Sequence, residues 1–287
     1  MIGIFGGTGV TGSQVVAALK EKGADFTCIV RDLKAAKSKL GKDVKIVQGD
    51  LSDPLSLDAA LDGLDTLYLL CGHSPILRDQ LINGVEAAKR AGISYIVYSS
   101  GTESGIREDS PSEIMRMHFH VENAVRGSGI NWAISRPNYF MSNLIAMAEP
   151  VVNFGKIIMP LPPETTISMI HPLDIGECVT ELLTNQDRAG QEYFLTGSAI
   201  TISGVVETIS AVIGTEVEYM QVPAETARKT MEDKGMPEWL LAHMGGMMGL
   251  VAKGGAAKET DWVQNLTGHP PRTLTEWLSG VKAKFGE

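Results

Sequence analysis

Two hydrophobic rhythms alternate through the first 140 residues of the chain. Short, nearly unbroken apolar runs stand at residues 2–5, 26–30 (FTCIV), 44–47, 66–70 (TLYLL), 95–98 (YIVY) and 132–135. Between them apolar residues recur at helical spacing, as in Val15, Val16 and Leu19, or Leu81, Ile82, Val85 and Ala88. A continuous short run fits a strand buried on both faces, and the longer period fits a helix packed on one side. The alternation predicts a parallel sheet wound in both directions, with helices on both faces. Helices are expected up to Gly23, after the cap sequence Ser52-Asp53-Pro54, over 79–91 and over 113–127, with a polar loop at 102–112. Beyond residue 140 the rhythm changes. Residues 141–171 are rich in Met, Pro and Gly, 172–183 read as a helix, and 193–196 (YFLT) read as one more sheet strand. Residues 198–287 are mixed, with two amphipathic helices and a Met/Gly-rich stretch at 236–255.

The first apolar run stops at a glycine cluster, IGIFGGTGVTG, spaced Gly6-x-x-Gly9-x-x-Gly12. A strand, a tight turn and a helix in this order can hold a pyrophosphate over the helix N-terminus, where unpaired N–H groups and the helix dipole favour negative charge. Gly6 permits the turn, Gly9 lets the backbone approach the phosphates, and Gly12 lets the helix sit close to the strand. Thr8 and Thr11 offer hydroxyls to phosphate or ribose. No Lys follows the glycines, so the motif is not a P-loop. A ligand-free glycine turn is the alternative, which the strand before and the helix after argue against.

The second strand ends at Arg31-Asp32. A carboxylate at this place accepts the adenosine ribose hydroxyls of NAD, whereas an Arg meets the 2′-phosphate of NADP. Arg31, with Lys34 and Lys37 on the next helix, favours NADP(H) on charge grounds. Asp32 keeps NAD(H) open, and both residues can equally be a solvated strand end. Asp50 and Leu51 follow the third strand, and Cys71, Gly72 and His73 follow the fourth, all at the strand ends where ligands of open α/β sheets bind. His73 either approaches the cofactor ribose or is solvated. Ser99-Ser100 either bonds a substrate oxygen or simply ends its strand. Tyr139 is the best-placed phenol for a proton donor or a substrate stack, or else a buried aromatic at a domain seam. Met231, Met236, Met244, Met247, Met248 and Trp239 line an adaptable apolar pocket or fill core gaps. Gly245-Gly246 and Gly254-Gly255 read as mobile turns of a lid.

Composition mainly excludes. The 287 residues, 44% hydrophobic and 21% charged, are ordinary for one large globular domain or two joined ones. A net charge of −9 with no basic run argues against nucleic acid. No apolar stretch reaches the roughly 18–20 residues of a membrane span. The glycine motif begins too near Met1 for a signal peptide to precede it. Cys28, Cys71 and Cys178, odd in number and set in apolar runs, read as reduced thiols, so a cytoplasmic protein is expected. The sequence leaves its assembly open between monomer and homodimer. His118 and His120 lie on different helix faces and nothing completes a metal site around them. No Gly-x-Ser-x-Gly elbow is present for a serine hydrolase.

GGTGVTG, Arg31, Gly49-Asp50-Leu51, Ser99-Ser100-Gly101, the helix carrying His118 and Glu122, and RPNYF occur in an order that resembles atypical short-chain dehydrogenases of the NmrA-like group. HPLDIG at 171–176 and TGHPPRT at 267–273 extend the resemblance over nearly the whole chain. The resemblance implies an extended Rossmann fold: an NAD(P)-binding domain of residues 1–140 with 172–197, and a smaller C-terminal α/β substrate domain of 141–171 with 198–287. It implies that Gly6, Thr8, Gly9, Val10, Thr11 and Gly12 lie on the cofactor phosphates. Asp50 and Leu51 would lie near adenine, and Pro137, Asn138, Tyr139 and Phe140 would border the nicotinamide. Members include reductases of quinones, azo dyes and triphenylmethane dyes, and non-catalytic NADP(H)-binding redox sensors that dock on a partner. This chain departs from the group's dehydrogenases in one respect. Their Tyr-x-x-x-Lys pair falls here at Ile114 and His118. Ile114 cannot donate a proton, and His118, mostly neutral near pH 7, would hold the nicotinamide ribose in place of Lys. With Tyr139, His118 and Ser100 as the candidate catalytic groups, the expected substrate is an aromatic small molecule that needs little proton assistance.

Overall fold

The computed structural model describes residues 1–286. In chain order its elements are β1 (Ile2–Phe5), α1 (Val10–Glu21), β2 (Phe26–Val30), α2 (Leu33–Leu40), β3 (Ile46–Gln48), α3 (Leu57–Leu61), β4 (Thr66–Leu69), α4 (Leu77–Arg90), β5 (Tyr95–Ser99), α5 (Glu113–Gly127) and β6 (Asn131–Pro137). There follow α6 (Ala148–Phe154), β7 (Lys156–Met159), β8 (Thr166–Ser168), α7 (Pro172–Thr184), β9 (Gln191–Leu195), β10 (Ala199–Thr201), α8 (Ile202–Ile213) and β11 (Glu218–Gln221). The chain closes with α9 (Ala224–Asp233), α10 (Glu238–Ala252), α11 (Trp262–Thr267) and α12 (Leu274–Val281).

Strands β1–β6 and β9 form one sheet in the order β3-β2-β1-β4-β5-β6-β9, with every pairing parallel. Successive side chains of a strand point to opposite faces, and here both faces are covered. Ile4, Cys28, Tyr68 and Val97 pack with Val15, Leu19, Val179 and Leu182 of α1 and α7. Their sequence neighbours Phe5, Ile29, Leu67 and Ile96 pack on the other face with Leu61, Leu81, Val85 and Val121. The unbroken apolar runs have this cause. The chain winds outward from β1 to β3, then restarts at β4 on the other side of β1. That reversal opens a crevice at the carboxyl ends of β1 and β4.

A third core joins β7, β8, α8 and α12 through Ile157, Ile167, Val205, Ile209 and Leu278. Its strands form two small pairs, β11 with β7 and β10 with β8. The C-terminal segment is not confined to this core. Val263 and Leu266 of α11 lie in the sheet cluster, and Trp239 and Met247 of α10 pack on the opposite sheet face. Gly245-Gly246 of the Met/Gly-rich stretch lie inside helix α10 rather than in a turn, whereas Gly254-Gly255 do form a turn just beyond it. Gly246 is used for contact, since a Cβ there would lie 2.8 Å from the Pro111 carbonyl oxygen. Close packing thereby overrides the poor helix propensity of glycine. Among the described residues no helix is long and apolar enough to cross a membrane.

Candidate functional site

The glycine loop leaves β1 through Gly6, whose φ of +72° favours glycine. Gly9 N donates to Gly6 O at 2.9 Å, closing the turn. A Cβ on Gly12 would stand 2.1 Å from that same oxygen, so helix and strand meet at the limit of contact. A Cβ on Gly9 would meet only Gly6 O, at 3.3 Å, and Gly9 is exposed. The first backbone bond of α1 runs from Ser13 N to Gly9 O, 2.9 Å, and Gly9 provides no side-chain cap. The amides of Val10, Thr11 and Gly12 therefore precede the helical ladder and remain for an anion. Thr8 is half-buried and Thr11 buried. These features fit a dinucleotide pyrophosphate.

Arg31 and Asp32 separate at the end of β2. Asp32 caps α2, its Oδ1 accepting from Ala35 N at 2.9 Å. Arg31 is exposed, with no ion pair among the described residues. Lys34 and Lys37 are exposed on α2. The carboxylate is thus engaged in local structure while the guanidinium is available. Asp50 is partly engaged as well: Oδ1 accepts from Ser52 N at 2.8 Å, and its own N–H donates to Ser56 Oγ at 2.9 Å. The Leu51 side chain is buried in the core and offers a ligand no surface.

At the end of β4, Cys71 is half-buried, and burial pushes its thiol up to about 12. Gly72 and His73 are exposed. The three positions 114, 118 and 122 share the inner face of α5 at i, i+4 spacing. Ile114 is buried among apolar side chains. Glu122, fully buried, receives Arg136 Nε at 2.9 Å and Arg126 at 2.6 Å. These partners overcome its burial and hold the carboxyl below its usual range. Arg136 of the RPNYF run is therefore a structural ion-pair partner. His118 is 4% exposed, and its Nδ1 lies 2.5 Å from Tyr98 Oη. Burial, then His73 and His243, push its pKa down to about 3. Its Nε2 has no hydrogen-bond partner, and neither does the buried Ser100 Oγ beyond β5.

Sequence reading placed His118 here but missed two of its neighbours. His243 of α10 comes edge-on to His73 at 5.0 Å between centroids, and its Nδ1 lies 2.7 Å from Ser112 Oγ. Tyr98 looked like one more aromatic in a strand. Its hydroxyl gains meaning only when α5 lies across β5.

At the end of β6 the four expected residues diverge. Pro137 is buried, in register with Leu195. The Asn138 side chain is committed to the protein: Oδ1 accepts from Thr102 Oγ1, and Nδ2 donates to Ser168 O and Ala256 O, each at 2.9 Å. Its backbone N–H donates to Leu195 O. Asn138 thus anchors the segment after α10, and its amide has no donor left for a cofactor. Tyr139 is half-buried against the third core, and burial pushes its hydroxyl up to about 12, so it stays protonated. Phe140 packs half-buried on the sheet core.

The two C-terminal motifs meet. Arg272 of TGHPPRT bonds Asp174 and Glu177 of α7, the latter at 2.6 Å, and His269 Nε2 lies 2.6 Å from Glu177 Oε2. Asp174, Glu177 and His269 bring metal-type ligand atoms within 4.8 Å of one another. The guanidinium already supplies the cation there, so the cluster is an ion-pair network. It bears on the glycine loop because α7 packs tightly on α1: a Cβ on Gly176 would lie 2.7 Å from the Gln14 backbone.

The model of the NmrA-like family matches residues 1–278. The chain belongs to the NmrA-like family. It is 34% identical over 290 aligned residues to an NAD(P)H azoreductase of Xenophilus azovorans, covering 100% of this chain and 99% of that one. A crystal structure of an NADPH-dependent quinone oxidoreductase from Escherichia coli superposes with a TM-score of 0.86 at 26% identity, covering 98% of this chain and 100% of that one. The triphenylmethane reductase of Citrobacter sp. shares the NmrA-like fold, with a TM-score of 0.85 at 24% identity over 99% of this chain and 100% of that one.

Proposed function

We propose that the chain is a cytoplasmic NADPH-dependent oxidoreductase that passes hydride to an apolar aromatic acceptor of the quinone, azo-dye or triphenylmethane-dye kind. The uncapped glycine loop beside an unpaired Arg31 carries this reading. Gly6, Gly9 and the amides of residues 10–12 hold the pyrophosphate, and Arg31 with Lys37 takes the 2′-phosphate. When bound, NADPH supplies the hydride. The chain contributes alignment and exclusion of water. Tyr139, Phe140 and the Met-bearing face of α10 hold the acceptor, and Tyr139, protonated at neutral pH, serves it as a hydrogen-bond donor. With Ile114 in place of the usual phenol, the favoured acceptors are those whose reduction leaves a stabilised anion or neutralises a cation. NADPH oxidation measured across quinones, azo dyes, cationic dyes and simple ketones tests this. Turnover confined to ketones rejects the acceptor class. Tight NADPH binding with no turnover would instead favour a redox sensor.

Arg31→Ala is expected to weaken NADPH binding by about ten- to a hundredfold, the worth of a charge-assisted hydrogen bond, and to change NADH affinity less than about twofold. Titration calorimetry with both coenzymes checks it. Equal losses would remove Arg31 from the 2′-phosphate.

A further inference from the structure

Tyr98 of β5 and His118 of α5 meet where the helix crosses the strand. Tyr98 Oη lies 2.5 Å from His118 Nδ1, Tyr98 is fully buried and His118 nearly so. A phenol is a far better donor than acceptor. Nδ1 is the atom at close hydrogen-bond distance to this hydroxyl, while the Ser100 side chain favours negative charge on its oxygen, so Tyr98 donates and Nδ1 accepts. A neutral imidazole carries one N–H, which therefore sits on Nε2. That N–H is buried without a partner. Its ring lies edge-on to His73, 5.9 Å between centroids at 70°. His73 is the exposed member of the group, on the irregular segment between β4 and α4 at the cleft.

We propose that Tyr98 is a positioning residue that locks His118 as the Nε2–H tautomer, so that the imidazole acts as an uncharged hydrogen-bond donor to an oxygen entering the cleft beside His73. The oxygen is a nicotinamide ribose hydroxyl or the oxyanion forming on the acceptor, and this assignment of the oxygen rests on the reductase reading. His118 does not imitate a lysine, because no positive charge is delivered. Burial and the facing His73 and His243 keep the ring neutral, so the donor strength does not depend on capturing a proton. Neutral donors of this type stabilise developing negative charge when their orientation is fixed in advance.

Nitrogen-15 NMR of the histidine rings in the wild-type protein reads the tautomer directly and requires no turnover, so it stands even if the reductase reading fails. The expected result is a protonated Nε2 and a bare Nδ1 on His118. A protonated Nδ1 would overturn the proposal. Tyr98→Phe is expected to mix the tautomers and to cost about tenfold, one well-placed hydrogen bond, in NADPH affinity or in kcat. A loss in affinity alone names the ribose as the source, and a loss in kcat alone names the acceptor oxygen. A variant with unchanged tautomer, affinity and kcat would also overturn it.

Discussion

Gly12→Ala is expected to abolish nucleotide binding and destabilise the whole protein, whereas Gly9→Ala should spare the fold and lose only nucleotide affinity. The two glycines belong to one motif but do different work. A Cβ at position 12 would stand 2.1 Å from Gly6 O and 2.6 Å from Gly6 C, contacts that no rotamer can relieve. Relief requires α1 to back away from β1. Backing away also disturbs the contact with the neighbouring helix α7, whose Gly176 is packed against the Gln14 backbone. A cost above about 4 kcal/mol is expected, in the range of severe core overpacking and backbone strain. A Cβ at position 9 meets only Gly6 O, at 3.3 Å, which a shift of a few tenths of an ångström absorbs. Its methyl would instead stand where the phosphates approach. Thermal unfolding and NADPH calorimetry on both variants separate the two roles. If Gly9→Ala binds NADPH normally, the phosphates do not cross this turn.

Much of the sheet was legible because its information is local. Each apolar run needed only its own residues to declare a strand, and the order of strands and helices then implied parallel pairing. The glycine loop was legible for the same reason, since its geometry is set within a few residues. What the sequence withheld depends on distant partners. Asp32 stood open as a ribose acceptor or a solvated strand end, and only the fold shows its Oδ1 accepting from Ala35 N. Asn138 stood in a run associated with nicotinamide, yet its amide spans to Ser168 and Ala256. HPLDIG and TGHPPRT read as separate signatures, although Arg272 and Asp174 touch across a separation of 98 residues. Hydrophobic periodicity carries no record of which polar side chains will meet once the helices are laid down. The helical state of α10 was hidden because its glycines lower propensity, while the contact that Gly246 serves is made with a distant segment.

Arg272→Leu is expected to cost about 3–5 kcal/mol, the usual penalty for stranding one member of a buried ion pair. Asp174 is fully buried, and apart from the Arg272 backbone N–H at 2.9 Å its hydrogen bonds come from the guanidinium that the variant lacks. Even in the intact protein burial outweighs these partners and raises the Asp174 carboxyl above its ordinary value. Without the guanidinium the rise must be larger, which fixes the sign of the pH dependence. A carboxyl whose folded pKa exceeds its unfolded one opposes folding progressively as pH rises through the folded value. The variant's deficit should therefore be small in mild acid and grow toward neutrality. Denaturant unfolding of both proteins from about pH 4 to 8 measures it, and a deficit independent of pH would exclude a stranded carboxylate as the cause. Adding Asp174→Asn to Arg272→Leu should recover part of the loss near neutrality, because the charge that burial penalises is gone. The same variants carry a functional consequence. Arg272 ties the C-terminal motif to α7, α7 presses on α1 through Gly176, and the first turn of α1 holds the amides that face the phosphates. Slack at Arg272 should thus appear as weaker NADPH binding in a protein still folded at low temperature, although Arg272 touches none of the glycine loop.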